Sequence, residues 1–476
     1  MISIPIFKQA LRSNSKLWLI LTVVASVLLA FFSATYDGSG FGALASAAEG
    51  TTFGGIFSSM GTFMGSFENY YKMLAVLLGL VYVVFTANNL VVDEVDSGSM
   101  AYTLSTPIKR STVIITKLVF LIGSIAVMFG IITAVGIGTA EIANNSVFGN
   151  PITTDVKKAA KVLDQKPRYV NKHLYVILDN DYAINAGADA RSMDDESYRM
   201  YIEETMLRNS YQSAAKKLTE EREKKYKNSS KSRSYIEITQ KELEKDPSLA
   251  LNSNDALKAG SFEMGISVDE YRNKLQSIVN QNKDNENNEN TEDMTSTFSI
   301  AMSAAAKELK TTTTKLSTDL TLMKKKEALD AATAVTGLPA EQLTVMINQA
   351  IIQNALTEDE NAEFDMETFL WLNLGCALLI LALSSIAFFA SAVFNRSKHA
   401  LAVGSGLPFA FYLLSVVEQM GDSFENVKYL TITTFYDTSE ILSKGDFGVG
   451  LTILGIITIV LYGSGSFIFC KKDLPL

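Results

Sequence analysis

A chain of 476 residues that is 47% hydrophobic yet carries 42 basic and 51 acidic side chains must keep its apolar and polar stretches apart. With 29 Gly, 8 Pro and 2 Cys it is not collagen-like, fully disordered or disulfide-stapled, and a net charge of −9 argues against nucleic acid as a partner. Cys376 and Cys470 lie in apolar runs and read as small membrane hydrophobes, while His173 and His399 are too distant in sequence for a metal-binding spacing; no metal or cofactor is expected.

Six segments are long and apolar enough to cross a bilayer, which takes about 20 residues. They are approximately Leu17–Ala34, Met73–Val92, Val113–Ile137, Phe369–Phe394, Ala400–Val417 and Val449–Cys470. The first follows Lys8, Arg12 and Lys16 as a signal peptide would. However, its apolar run is too long, and bulky Phe32 stands where cleavage needs a small residue, so an uncleaved span is expected. The fifth contains Gly404, Gly406 and Pro408, which neighbouring helices make tolerable.

Basic residues in the short loops set the orientation. Lys8, Arg12, Lys16, Lys109, Arg110, Lys117, Arg396, Lys398, Lys471 and Lys472 fall on one side, against Lys72, Lys428 and Lys444 on the other. Both termini are therefore expected in the cytoplasm. Residues 138–367 are expected outside as a mainly helical domain inserted between spans three and four; they carry a net charge of −9.

Within that insertion Ser192, followed by Asp195 and Glu196, predicts a helix start. Tyr198, Ile202, Met206, Tyr211, Ala215 and Leu218 then recur at helical spacing. Phe298, Met302, Ala305, Leu309, Leu316 and Leu320 form a second stripe, and Leu343, Met346, Ile347, Ala350 and Ile351 a third after the break at Gly337-Leu338-Pro339. These stripes read as packing faces. The run Gln281 to Asp293 is almost wholly polar and predicts a linker. Between the fifth and sixth spans, Val427 to Tyr436 is too apolar for a free loop yet too short to cross, and Tyr429, Phe435 and Tyr436 suit the membrane interface.

The loop after the second span reads Asp93-Glu94-Val95-Asp96-Ser97-Gly98-Ser99-Met100-Ala101-Tyr102-Thr103-Leu104-Ser105-Thr106-Pro107-Ile108-Lys109-Arg110. It is an acidic span end, a glycine break, a short amphipathic helix with Met100 and Leu104 on one side, a proline stop and a basic return. A short helix of this kind suits docking on a partner, and an ordinary interfacial loop fits the pattern as well.

This loop resembles the signature of type 2 ABC transporter permeases, the exporter-like class, and especially those of Gram-positive bacteria associated with bacitracin-resistance-like ATPases. Leu372-Asn373-Leu374-Gly375, Phe394-Asn395-Arg396-Ser397-Lys398 and the tail Lys471-Lys472-Asp473-Leu474-Pro475-Leu476 agree. The resemblance covers residues 1–137 and about 363–476; the long insertion departs from it. It implies a multi-pass protein of the bacterial plasma membrane, an exporter of a hydrophobic or peptide-like compound. It implies an interfacial helix over residues 1–16, spans over 17–137 with a coupling loop at 93–112, spans over 368–476, and short helices dipping into the outer leaflet at Val427–Tyr436; the extracellular domain at 138–367 is placed by the loop charges instead. Glu94, Gly98, Met100, Leu104, Pro107 and Arg110 are its coupling positions against a cytoplasmic ABC ATPase dimer, with Met100 and Leu104 entering a groove on that partner. The partners implied are that ATPase, a second permease subunit forming a homo- or heterodimer, and membrane lipid; the acidic surface of the extracellular domain makes a peptide ligand a further expectation. No Gly-x-x-x-x-Gly-Lys-Ser/Thr loop occurs, so ATP hydrolysis is expected from the partner and the chain is not expected to be an enzyme. The alternative is a sensory or immunity protein whose extracellular domain captures a peptide or envelope component without moving it.

The orientation is testable by labelling intact cells. A cysteine at Ser229 is expected to react with a membrane-impermeant thiol reagent and one at Ser111 is not; the reverse pattern refutes the assignment.

Overall fold

Pro5 in the first turn opens a helix that nothing later interrupts: Ser13, Asn14 and Ser15 are polar but do not break it, and Asn14 Nδ2 donates to Ala10 O at 2.8 Å. Span 1 is therefore a single helix, Ile4–Thr35, of 32 residues, and the interfacial helix expected at its start is continuous with it. At 1.5 Å per residue it is about 48 Å long, against a hydrocarbon core of about 30 Å, so one end projects beyond the apolar layer. The computed structural model describes residues 2–36, 62–144, 147, 149–226, 237–285, 291–419 and 427–473. Ser229 and part of the polar run Gln281–Asp293 lie outside them. Among the described residues the secondary structure is helical, with no strand. The chain divides into two compact units, one of residues 1–151 with 361–476 and one of residues 152–360.

The first unit is the membrane part. Its six long apolar helices are Ile4–Ala34, Phe63–Asp96, Arg110–Ala143, Met366–Val393, Ser397–Glu418 and Gly448–Lys471, one at each expected position. Spans 2 and 4 form its centre, each 72% buried over its most apolar stretch, and the other four surround them. Close approach is built in where Gly79 meets Ile380: a Cβ there would lie 2.8 Å from that side chain. Buried polar groups are paired across helices, as membrane interiors require. Trp18 Nε1 donates to Ser124 O at 2.9 Å, Tyr70 OH to Ala25 O at 2.9 Å, and Asn373 Nδ2 to Tyr71 OH at 2.8 Å. Outward faces stay apolar, with Ile20, Val27, Phe31, Val127, Leu413, Ile459 and Phe467 exposed, as suits contact with lipid rather than water. Cys376 and Cys470 are free thiols. After span 5, Ile432–Phe435 is a short 3-10 helix followed by Thr438–Leu442. Tyr436 OH between them donates to Leu372 O at 2.8 Å, matching the expectation of short helices there.

The second unit is a series of helical hairpins with a common geometry that the sequence stripes do not reveal. Among its described residues five take left-handed backbone: Asp164, Ser192, Gly265, Lys310 and Gly337. Each ends one helix, and the next helix begins three residues later, at Pro167, Asp195, Val268, Thr313 and Ala340. In four of them the following backbone N–H reaches back to close the helix: Gln165 to Ala160, Met193 to Ala188, Ile266 to Ser261 and Thr311 to Ala306, at 2.9–3.2 Å. Ser192 therefore caps the end of helix Asp181–Arg191 instead of opening the next; Asp194 does that, its carboxylate accepting from Ser197 N at 3.0 Å.

Six residues past each left-handed position stands a buried large side chain: Val170, Tyr198, Tyr271, Leu316 and Leu343. Five residues before it stands a small one: Ala159, Gly187, Gly260, Ala305 and Ala332. The two tyrosines face the two glycines. A Cβ on Gly187 would lie 2.3 Å from the Tyr198 ring, and one on Gly260 2.4 Å from the Tyr271 ring, while the aliphatic partners leave room for alanine. The predicted stripe Tyr198–Leu218 is buried throughout, whereas Leu316 and Leu320 lie beyond the break at Lys310 on separate short elements.

One buried guanidinium joins the first and last helices of this unit. Arg191 Nη2 contacts Asp359 Oδ1 at 2.7 Å, and its Nε lies 3.0 Å from Asp155 Oδ1, close enough for charge attraction though misaligned for a hydrogen bond. Tyr198 OH donates to Asp155 Oδ2 at 2.9 Å, Tyr201 OH donates to Asp359, and the Tyr201 ring lies under the guanidinium at 4.3 Å.

Residues 152–360 expressed alone are expected to be soluble and helical by circular dichroism. In that fragment Gly260→Ala is expected to lower unfolding stability by about 1–3 kcal/mol through overpacking. Adding Tyr271→Leu is expected to restore part of the loss; a double variant no more stable than Gly260→Ala refutes the small-to-large pairing.

Candidate functional site

The loop between spans 2 and 3 is built from two short helices. Span 2 ends at Leu90, Val91 breaks the helical backbone, and Val92–Asp96 follows as a single acidic helix. Gly98 then turns the chain with φ +74°, and since a Cβ there would meet nothing within 4 Å, the demand for glycine is conformational, not steric. Helix Ser99–Leu104 runs on to Pro107 and Lys109, and span 3 starts at Arg110.

The three carboxylates of the acidic helix are bound to two parts of the membrane unit: Asp93 and Asp96 meet the start of span 5, and Glu94 meets spans 1 and 3. Asp93 accepts from Asn88 Nδ2 at 2.8 Å and from Ser397 Oγ. Asp96 Oδ2 accepts from Ser397 N at 3.0 Å, so two acids meet the first turn of span 5, where the orphan N–H groups and the helix dipole favour negative charge. Glu94 Oε2 lies 2.6 Å from Nζ of Lys117, one to two turns into span 3, and its other oxygen is 3.5 Å from Gln9 Nε2 of span 1. Lys117 is 2% exposed, and its ammonium also donates to Leu90 O, the last carbonyl of span 2. Asn89 Nδ2 reaches Ser13 Oγ at 3.0 Å and Asn14 Oδ1 at 2.9 Å on span 1. On the far side of the loop Arg110 Nη1 donates to Lys472 O at 2.8 Å, and Lys472 Nζ donates to Val393 O at 2.6 Å, closing the end of span 4.

The structure thus brings Glu94 and Arg110 into networks that join the loop to all six spans, and it places Met100 differently from the expectation. Met100 is fully buried in the chain's own core, and Leu104 is half-buried against that core. The reason is that Gly98 folds the second helix back under the spans, which turns its apolar side inward. Its outward side carries Tyr102, 81% exposed, with Ser105, Thr106, Pro107 and Lys109. Tyr102, Lys117 and Ser397 are site residues that the sequence pattern passes over; a lysine inside an apolar run was the one available signal for Lys117.

Residues 6–163 match the sequence profile of a family described as ABC-2 family transporter protein. The match takes in spans 1 to 3 and the whole loop, and over this stretch the chain is similar to membrane components of ABC transporters. No curated protein and no solved structure matches the chain.

Burying one charge of a pair without the other is far costlier than removing both. Lys117→Met is therefore expected to destabilise the detergent-solubilised chain by about 3–5 kcal/mol, and Lys117→Met with Glu94→Leu to recover most of that. Thermal unfolding measures it; a double variant as unstable as the single one refutes the ion pair's role.

Proposed function

We propose that the chain is the membrane-spanning permease subunit of an ABC transporter that exports a hydrophobic or peptide-like compound across a bacterial plasma membrane. A separate cytoplasmic ATPase dimer supplies the energy, and a second permease subunit, identical or related, completes the pathway. The observation that carries this reading is the loop of residues 93–110: it lies inside the matched stretch, its acidic side chains bond to spans 1, 2, 3 and 5, and Arg110 bonds to Lys472 at the end of span 6. A displacement applied to such a loop moves helices rather than bending a tether. ATP drives transport only if the ATPase binds one arrangement of the spans better than another, and a loop bonded to spans 1, 3 and 5 at once communicates that preference.

In this reading Tyr102, Pro107 and the polar residues beside them form the docking surface, Gly98 sets the turn that presents it, and Glu94 and Arg110 secure it to the spans. Met100 and Leu104 support the surface from beneath. The acidic insertion faces outward, and its compact unit of residues 152–360 also favours a second reading, in which it captures a cationic peptide without transport. ATP-dependent movement of solute into proteoliposomes separates the two.

Exposed aromatic anchors dominate protein interfaces and cost about 2 kcal/mol or more when truncated. Tyr102→Ala is expected to weaken co-purification of the ATPase at least about tenfold while the spans keep their thermal stability. Met100→Asp is expected to lower that stability itself. Undiminished ATPase retention and transport in Tyr102→Ala refutes the docking surface.

A further inference from the structure

At the end of the membrane unit opposite the loop, spans 2, 4 and 5 and the short helices after span 5 line a partly open cavity of about 220 Å³. A space of this size suits a small polar head group rather than a whole lipid. The wall is polar although it lies among membrane spans. Its cations are Lys72 and Lys428 and its carboxylates Glu418 and Asp437, with hydroxyls of Ser415, Thr434 and Ser439 between them.

The state of each group restricts what the cavity accepts. Lys72 has no hydrogen-bond or ion-pair partner among the described residues, and it stands within Tyr70–Ala75, a π-helical stretch of span 2. It lies next to the expected outer end of the span Met73–Val92, where a lysine can reach a head group, and π turns cluster at functional sites. Asp437 is already engaged, capping Thr438–Leu442 through Ser439 N and Glu440 N. The hydroxyl protons are committed too: Ser415 donates to Tyr412 O at 2.7 Å and Thr434 to Lys428 O. Their oxygens are therefore left as acceptors. An uncommitted cation, among the described residues, beside acceptor oxygens matches a ligand with an anion at one end and N–H or ammonium donors at the other. Tyr429 and Leu430, which follow Lys428, are 77% and 67% exposed and give an apolar surface next to the polar wall.

We propose that this cavity binds a zwitterionic phosphate–ammonium head group, the phosphate on Lys72 and the ammonium against the oxygens of Ser415 and Thr434, with any acyl chain lying toward Leu430. The same chemistry is available from a lipid or from a free phosphoethanolamine. This site is independent of the coupling loop, and its test contains no ATPase, so either reading can fail alone.

The test uses the full chain purified in maltoside detergent, titrated with dioctanoyl phosphatidylethanolamine, dioctanoyl phosphatidylglycerol and free phosphoethanolamine, and read by calorimetry. Phosphatidylethanolamine is expected to bind saturably, and the glycerol head group about tenfold more weakly because it lacks the ammonium. Lys72→Gln is expected to weaken binding at least about tenfold and Lys72→Arg to retain most of it. Free phosphoethanolamine binding as tightly as the lipid identifies a soluble ligand, and binding of the lipid alone identifies a bilayer ligand; both uphold the site. Should Lys72→Gln fail to fold, Ser415→Ala, whose hydroxyl bonds only within its own helix, is expected to weaken the ethanolamine lipid selectively. Equal affinity for the ethanolamine and glycerol lipids, or unchanged binding in folded Lys72→Gln or Ser415→Ala, overturns the proposal.

Discussion

The membrane unit is organised around a charge that has no business in an apolar helix unless it is neutralised where it stands. Lys117 sits 2% exposed in span 3, and the desolvation of its ammonium is offset because Glu94 is 2.6 Å away and the Leu90 carbonyl accepts a hydrogen bond from it. That requirement fixes the acidic helix against span 3. Once it is there, Asp93 and Asp96 come within reach of the first turn of span 5, and Gly98 must reverse the chain, which buries Met100 and leaves Tyr102 outside. The loop's form follows from one ion pair and one left-handed residue, without any help from a partner.

Much of this architecture is legible from the residues alone. All six spans appear where hydropathy places them, because burial in lipid selects on composition over a long window, and that signal survives any detail of packing. The acidic loop with its glycine was also legible, and the left-handed turn at Gly98 bears out the break read there. What misled was the helical periodicity of Met100 and Leu104. An amphipathic helix announces that one face will be covered but not by what, and here the chain covers most of that face itself. Ser397 and Lys117 were invisible as partners of Asp93 and Glu94 since their pairing depends on which spans become neighbours, and periodicity carries no such information.

The insertion shows a different limit. Its hairpins share a geometry but hardly a motif: the repeated quantity is a small residue, a left-handed turn and a large residue at set distances. Asp164, Ser192, Lys310, Gly265 and Gly337 all perform the same turn. Reading identities misses this, whereas reading volumes finds it, since glycine accompanies tyrosine and alanine accompanies valine or leucine. Side-chain size is conserved across the hairpins because the helix pair can close only to the distance that the bulkier partner permits.

The guanidinium of Arg191 has a topological consequence. By holding Asp155 near the start of the insertion and Asp359 near its end, it returns the chain to where it left, so that some two hundred residues occupy the connection between two spans as though it were short. The entropy of closing so long a loop is met inside the inserted unit and is not charged to the helices on either side. A unit closed in this way behaves as a cassette: its ends can be joined and the chain opened at another surface turn, giving a circular permutant with the same core. It can also gain or lose a whole hairpin without altering the register at which spans 3 and 4 meet.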